Sequence, residues 1–490
     1  MTEQQQDRRQ FLKTAALAAP PLFMQAAPPP AKKMIGMQIG AVSFIDEGTE
    51  KVLDILQETG EVNTLFLAVF TYGRGIAGRQ IPGQPLPDHG KQVYDLDFHG
   101  GNFATPHAQY YRDTVLKETR APDHGDYDVL AEVLPAAKKR GMKSICWLED
   151  VFRRDIPNID KLQEVDLHGR NATTLCFNNP NYRNFLTGLV EDYARSYDID
   201  GLMWGSERQG ALSNALGAMH GGARSDPGKV TCFCQFCQKR AKEEGINVVR
   251  AREGFTALEK FVQAGRAGNK PVDGSYVTFW RILLNYPEIA AWEMLWTKSL
   301  RDTYKAIYTT VKSAKPNVPV GWHIWHNDSF NPIYRAEQDL QVLSEYSDYL
   351  KMVIYNNCGG ERMATYIDSV SQTIYGDTPK PLLLDFEYSV MHYKEAGLEQ
   401  IIQHGLSSDY VYRETKRAID GTAGTKTKIW PGIDIDIPTD PNHSKCTPQG
   451  TRDAVLAAFR AGAPGVILSR KYSEMKLSNI KGAGDAVRSL

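Results

Sequence analysis

The sequence has no excess of either charge: 57 Lys and Arg face 58 Asp and Glu over 490 residues, a formal net charge of −1. Without a long-range field to recruit them, neither nucleic acid nor an anionic membrane surface is an expected partner. Also missing are a P-loop, a Gly-x-Gly-x-x-Gly after the first predicted strand, a Gly-x-Ser-x-Gly elbow and a His-Glu-x-x-His pair. Their absence removes support from nucleotide, dinucleotide, serine-hydrolase and common metalloprotease chemistry. No apolar run approaches the ~20 residues that span a bilayer, so no stable membrane span is expected. Cysteine is scarce and odd in number, 7 in all, and Cys146, Cys176, Cys358 and Cys446 stand singly. That is not a disulfide framework.

The first residues run Asp7-Arg8-Arg9-Gln10-Phe11-Leu12-Lys13, then a weakly apolar, Ala-rich stretch to Ala27, then Pro28-Pro29-Pro30. Paired arginines before x-Phe-Leu-Lys resemble a twin-arginine export signal, with Asp7 where Ser or Thr is usual. Pro20-Pro21 interrupts the apolar stretch. The resemblance implies recognition by the twin-arginine export machinery, cleavage near Ala26 or Ala27, and a periplasmic or secreted mature protein. Residues 1–30 are assigned to this signal and its Pro-rich linker, and 31–490 to one catalytic domain.

Eight short apolar, β-branched or aromatic runs can be placed in that domain: Met34–Phe44, Thr64–Phe70, Lys143–Glu149, Gly201–Ser206, Val318–His323, Leu350–Tyr355, Lys428–Asp434 and Gly465–Ser469. Helical patterns alternate with them at Glu50–Thr59, Asp126–Arg140, Asn181–Tyr197, Ala290–Lys315 and Gly450–Ala461. Alternating strand and helix around a parallel sheet, eight times over, predicts an α/β fold of the (β/α)8 TIM-barrel type. Three connections, about 71–142, 207–317 and 356–427, exceed simple barrel loops. They follow strands 2, 4 and 6, so they should wall a cleft at the C-terminal face, where barrel active sites lie.

Chemistry-bearing residues gather at the predicted strand ends. In Tyr197-Asp198-Ile199-Asp200-Gly201-Leu202-Met203-Trp204-Gly205-Ser206-Glu207-Arg208 a helix stops, an acidic turn follows, and a strand delivers Glu207 at its tip. An ion pair with Arg208 is the structural alternative for that carboxylate. In Trp430-Pro431-Gly432-Ile433-Asp434-Ile435-Asp436-Ile437-Pro438, alternation sends Asp434 and Asp436 to one side. Glu149 ends the third strand, and Leu382–Tyr388, with Glu387, reads as a strand within the third insertion or as an alternative seventh strand. Trp322-His323-Ile324-Trp325-His326, Tyr355-Asn356 and the loop residues around His107 mix rings with hydrogen-bonding groups, as sugar faces and hydroxyls require.

The segment at about 181–240 resembles the fourth-strand region of barrel glycoside hydrolases, where Asp-Gly leads into the strand and an acid at its tip acts on the glycosidic bond. That resemblance implies Glu207 as general acid/base. It implies Asp434, with Asp436 as second choice, as nucleophile or base at the seventh strand, although the two roles are exchangeable. Glu149 and Glu387 compete as partners, and with His323, Trp322, Tyr355, Asn356 and His107 they form the expected carbohydrate-binding set. Such hydrolysis needs two carboxyl groups, ~5–5.5 Å apart when retaining and ~6.5–9.5 Å when inverting, and no catalytic cofactor. Two rivals share the barrel. One is a metal-dependent hydrolase or isomerase using His323 and His326, although Met34–Phe44 lacks a His-x-His pair; the other is a non-catalytic sugar-binding barrel.

The remaining cysteines form Cys232-Phe233-Cys234-Gln235-Phe236-Cys237. It resembles a Cys-rich segment after the fourth strand in some uncharacterised barrel hydrolase-like proteins. Three thiolates with a fourth ligand, for which His220 and Asp226 are candidates, would hold a structural zinc. A local disulfide or free thiols is the alternative. Folding before export favours the metal, because the site would fill in a reducing compartment.

Overall fold

Eight runs of residues suited to a pleated, buried surface close into a barrel in chain order. The structure, a computed structural model, describes residues 33–439 and 444–490. The export signal and linker assigned to 1–30 lie outside the described residues. The barrel strands are β1 (Met34–Gly40), β2 (Thr64–Thr71), β3 (Lys143–Glu149), β4 (Gly201–Gly205), β5 (Val320–Ile324), β6 (Tyr349–Val353), β7 (Lys428–Asp434) and β8 (Gly465–Ser469). Each pairs in parallel with the next, and β1 closes the ring on β8 with Met34 opposite Gly465. This is a (β/α)8 barrel.

The predicted strands all appear, with one revision at the first. Beyond Gly40 the run Ala41–Glu47 is a short helix, its Ala41, Val42 and Phe44 buried. The five predicted helices appear as Thr49–Gly60, Val129–Lys139, Pro180–Ser196, Glu288–Ala314 and Pro448–Arg460. Among the described residues no helix is long and apolar enough to cross a membrane.

Strand alternation sorts the side chains into an interior and a helix-facing shell. Glycines make the interior space: a Cβ on Gly36 would lie 2.6 Å from the Phe66 ring, and one on Gly321 2.3 Å from the Tyr349 ring. Into that space pack Phe66, Tyr349 and Trp430, with Tyr349 and Trp430 ring centroids 4.1 Å apart. This aromatic floor fills the core of the barrel, and each such ring pair adds ~0.5–1.5 kcal/mol beyond its burial. Two residues further along their strands, Lys351 and Gly432 stand above the floor.

The long connections after β2, β4 and β6 carry the extra lobes. The largest holds the helices Ala211–Leu216, Gln235–Glu243, Val248–Arg266 and Ser275–Asn285 before the barrel helix Glu288–Ala314. A further feature lies between β3 and β4: an antiparallel hairpin of Gln163–Val165 with Asn171–Leu175. One prediction is overturned. Leu382–Tyr388 belongs to the helix Lys380–Met391, so it is neither a strand nor an alternative β7. Leu383, Leu384, Glu387, Tyr388 and Met391 are buried there at helical spacing, and Pro379-Lys380-Pro381 opens the helix where proline is tolerated.

Candidate active site

Glu207 stands two residues beyond the end of β4, at the C-terminal mouth of the barrel. Its neighbours in sequence are clamped. Ser206 donates to Asp150 at 2.8 Å, and Arg208 pairs with Asp150 at 2.7 Å and with Glu164 of the hairpin at 3.2 Å. Arg208 also donates to the Leu175 carbonyl at 2.9 Å and lies 4.0 Å from the Phe177 ring centroid. The acidic partners of Arg208 are therefore Asp150 and Glu164, and Glu207 does not neutralise it. A charge network this buried is held by mutual compensation, and removing one member leaves the rest uncompensated. The Glu207 side chain, by contrast, is 56% exposed and borders a cleft of about 450 Å³ that includes Thr173, Gln209, Met219 and Trp325.

A chain of contacts runs from Glu207 into the barrel. His323 of β5 meets Glu207 Oε1 through Nε2 at 3.0 Å, and Lys351 Nζ lies 3.3 Å from His323 Nδ1. Lys351 also donates to Gln38 Oε1 at 2.6 Å and to the Tyr355 hydroxyl at 3.1 Å. With Nδ1 accepting from the lysine, His323 carries its proton on Nε2 and donates to Glu207. Burial and the Lys351 charge hold His323 below its ordinary value, so this donor is uncharged near neutrality. Partial desolvation in the mouth works to raise the Glu207 pKa, but the His323 hydrogen bond and the Arg362 charge outweigh it and hold the carboxylate below its ordinary value. Burial pulls Lys351 down to about 7, against the opposing charges of Glu207 and Glu149.

Glu149, at the end of β3, opens on the same mouth. It lies opposite Gly205 in the β3–β4 ladder, two residues before Glu207. Thr71 donates to its Oε2 at 2.9 Å. Burial, and then the like charge of Glu207, push Glu149 up to about 8. One carboxyl is thus protonated at neutral pH and its neighbour ionised, the division of labour that acid–base chemistry on one fold requires.

The other expected site residues take different places. Asp434 is fully buried and accepts from Asn357 N at 3.2 Å, Asn357 Nδ2 at 3.2 Å and Cys358 N at 2.9 Å, so its carboxylate ties the loop after β6 to β7. Asp436 does not share its side. At φ 55° the backbone leaves the extended conformation, and the Asp436 carboxylate turns to accept from Lys476 N at 2.8 Å, Ser444 at 3.0 Å and Asn479. Trp322 faces outward, opposite to His323, and packs on Tyr304 with centroids 4.5 Å apart. Tyr355 belongs to the mouth through Lys351, and Asn356 donates to the Leu406 carbonyl at 3.4 Å above β6. Glu387 is buried in the peripheral helix beside Tyr366, remote from β3 and β4 in the fold. His107 meets Asp192 at 2.7 Å near the C-terminal end of the helix Pro180–Ser196, hence toward the face opposite the mouth.

The two histidines of the metal-dependent reading do not converge. His326 meets Tyr410 through Nε2 and Arg362 through Nδ1, each at 3.0 Å, while both His323 nitrogens are engaged with Glu207 and Lys351.

The cysteine cluster gains a member that the sequence hid. Cys176, immediately after the hairpin, joins Cys232, Cys234 and Cys237, with all four sulfurs within 4.8 Å of one another. The fourth position is therefore filled by a thiol and not by His220, which packs on Trp325, or Asp226, which pairs with Arg170. All seven cysteines are free. Asn178 Nδ2 donates to Cys237 Sγ at 3.3 Å and Cys234 N to Cys232 Sγ at 3.5 Å, contacts suited to thiolates. Four buried, mutually adjacent thiols fit a tetrahedral zinc with Zn–S bonds of ~2.3 Å.

No protein-family model matches the chain, and no curated protein matches it in sequence. Among solved structures it is similar to α-L-fucosidase isoenzyme 2 from Paenibacillus thiaminolyticus, at 12% identity and a TM-score of 0.49 over 94% of this chain and 49% of that one. It is also similar to a β-galactosidase from the Antarctic haloarchaeon Halorubrum lacusprofundi, at 15% identity and 0.49 over 93% and 57%. A third is the PgaB (BpsB) glycoside hydrolase domain from Bordetella bronchiseptica, at 10% and 0.47 over 94% and 98%. The chain thus spans 49% and 57% of the first two, and nearly all of the third. The barrel assignment rests on the closed strand ring, not on these likenesses.

Proposed function

We propose that the protein is an exported glycoside hydrolase in which Glu149 and Glu207 form the carboxyl pair. The observation that carries this reading is the placement of two carboxyls at adjacent strand ends, Glu207 lining an open cleft, with Glu149 pushed up to about 8 and Glu207 held below its ordinary value. Glu149 donates its proton to the departing glycosidic oxygen. Glu207, fixed by His323, attacks the anomeric carbon or takes a proton from the attacking water. This assigns Glu207 the role of base or nucleophile and gives Glu149, rather than Asp434, the second role. The substrate is a carbohydrate, and no cofactor takes part in the step.

In this reading Cys176, Cys232, Cys234 and Cys237 hold a structural zinc. The metal would fasten the hairpin, and with it Glu164, to the lobe after β4, so that Arg208 holds the backbone next to Glu207. The pair Arg8-Arg9 directs the folded, metal-loaded protein through the twin-arginine route to the periplasm.

The test is release of reducing sugar from a panel of aryl glycosides and oligosaccharides by wild-type protein and by Glu207→Gln. Turnover of at least one glycoside that collapses in the variant supports the hydrolase. Binding without turnover throughout the panel favours the non-catalytic sugar-binding barrel. Turnover unaffected by Glu207→Gln removes the proposed pair.

A further inference from the structure

Among the described residues Arg362 is a guanidinium at the mouth that makes no ion pair. It occupies the first turns of the helix Gly359–Val370, which follows β6. Among the described residues no carboxylate lies within 4.0 Å of it, whereas its neighbour Arg470 pairs with Glu474 at 2.6 Å. Its hydrogen bond is to a neutral group, and the local network shows why. Tyr410 donates its hydroxyl proton to Ser329 at 2.8 Å, so it accepts from His326 Nε2–H. That leaves His326 Nδ1 as the acceptor that Arg362 Nη1 meets at 3.0 Å. An imidazole lone pair directs the guanidinium without neutralising it.

The guanidinium is also close to the chemistry. It lies 5.8 Å from the Tyr355 ring centroid, and the Tyr355 hydroxyl connects through Lys351 and His323 to Glu207. The adjoining cleft has the same bias. Its acids Glu164 and Asp166 are engaged by Arg208 and Arg170, while Arg154 and Lys229 are exposed and, among the described residues, in no ion pair. Around the Glu207 carboxylate there is thus a surplus of positive charge in a chain whose formal net charge is −1.

We propose that the substrate is an acidic carbohydrate, whose carboxylate or sulfate group docks on Arg362 while the scissile bond lies at Glu207 and Glu149. This rests on the glycosidase reading for the bond broken, but not for the binding. The planar fork of a guanidinium matches either oxyanion through two parallel N–H donors. With a neutral sugar the guanidinium would keep only the longer-range charge of Glu207 opposite it and no direct anionic partner.

Binding measured by calorimetry, independently of turnover, tests the inference. The probes are uronate-containing disaccharides against their methyl esters, and sulfated disaccharides against their desulfated forms. The anionic member of at least one pair should bind wild-type protein ~10-fold or more tightly than its neutral counterpart, the scale of a charge-assisted hydrogen bond. The pair that shows the preference identifies the anion. Arg362→Gln should abolish the preference and Arg362→Lys should keep part of it. If Arg362→Gln does not fold, the ester and desulfation comparisons on wild-type protein decide. Equal affinity within both pairs, or a preference that survives Arg362→Gln, overturns the proposal. Cleavage of neutral glycosides without an anionic preference defeats this inference alone; anionic binding without cleavage defeats the hydrolase reading alone.

Discussion

Glu149, at the end of β3, and Glu207, just beyond the end of β4, share one mouth, and the charge on Glu207 helps keep Glu149 protonated. Neither carboxyl is an inert surface acid. Thr71 fixes one and His323 the other, so each is held in a defined orientation before substrate arrives.

Replacing Glu207 with Gln should lower kcat by ~10²-fold or more, the scale of losing a group that acts on a proton in the transition state. The side chain is 56% exposed, so the denaturation midpoint should stay close to wild type. A large fall in stability alongside the lost turnover would mark Glu207 as structural.

The pH dependence follows from the two shifts. Glu149 must be protonated to act, so kcat/KM should fall as pH rises through about 8. Glu207 must be ionised, and its pKa lies below the usual carboxylate value, so the acid limb should appear only below that value. In Glu149→Gln the limb near 8 should disappear. An alkaline limb that persists there belongs to another group, for which Lys351, brought to about 7, is the first candidate.

Asp434→Ala should act on stability. Two donors, the Asn357 and Cys358 backbone N–H groups, would lose their buried acceptor, while the Asn357 amide keeps the Asp434 carbonyl at 3.0 Å. Each buried group left unsatisfied costs ~1–3 kcal/mol, which chemical denaturation reads directly. A variant of wild-type stability that has lost turnover would return Asp434 to the catalytic pair.

Zinc analysis of the purified protein should find one metal per chain, and Cys176→Ser should reduce its retention as severely as Cys234→Ser. Chelation should destabilise the hairpin and lower turnover indirectly, through the Arg208 clamp. Full metal content in Cys176→Ser would remove that residue from the ligand set.

Export depends on the paired arginines in this account. Arg8→Lys with Arg9→Lys should leave the protein in the cytoplasm of a host with a twin-arginine system, as fractionation and immunoblotting would show. Unchanged export would place the signal elsewhere.

The barrel was legible because each strand is a short β-branched or aromatic run and the intervening helices carry an apolar face. Leu382–Tyr388 misleads because a run so rich in leucine and aromatics fits both periods; burial of Leu383, Leu384, Glu387 and Tyr388 then follows the helical one. Glu149 and Glu207 were visible as acids at strand ends and Glu149 was among the expected partners; choosing it over Asp434 required the contacts that tie Asp434 to the loop after β6. Alternation could have separated Trp322 from His323. It could not foresee the left-handed φ that turns Asp436 away. Cys176 was hidden because its partners lie beyond an entire barrel strand and helix in sequence. Lys351 did leave a signal, a lone cation inside the apolar run Leu350–Tyr355. Arg362 left none, since only the fold brings it to the mouth beside His326 and Tyr355.

The most direct measurement compares two leaving groups on the sugar that the panel identifies. An alkyl glycoside needs its departing oxygen protonated; a dinitrophenyl glycoside does not. Glu149→Gln should therefore lose ~10²-fold or more in turnover of the alkyl substrate and keep most of its rate on the dinitrophenyl one. Equal losses on both, or none on either, would contradict the assignment of Glu149 as the acid that serves Glu207.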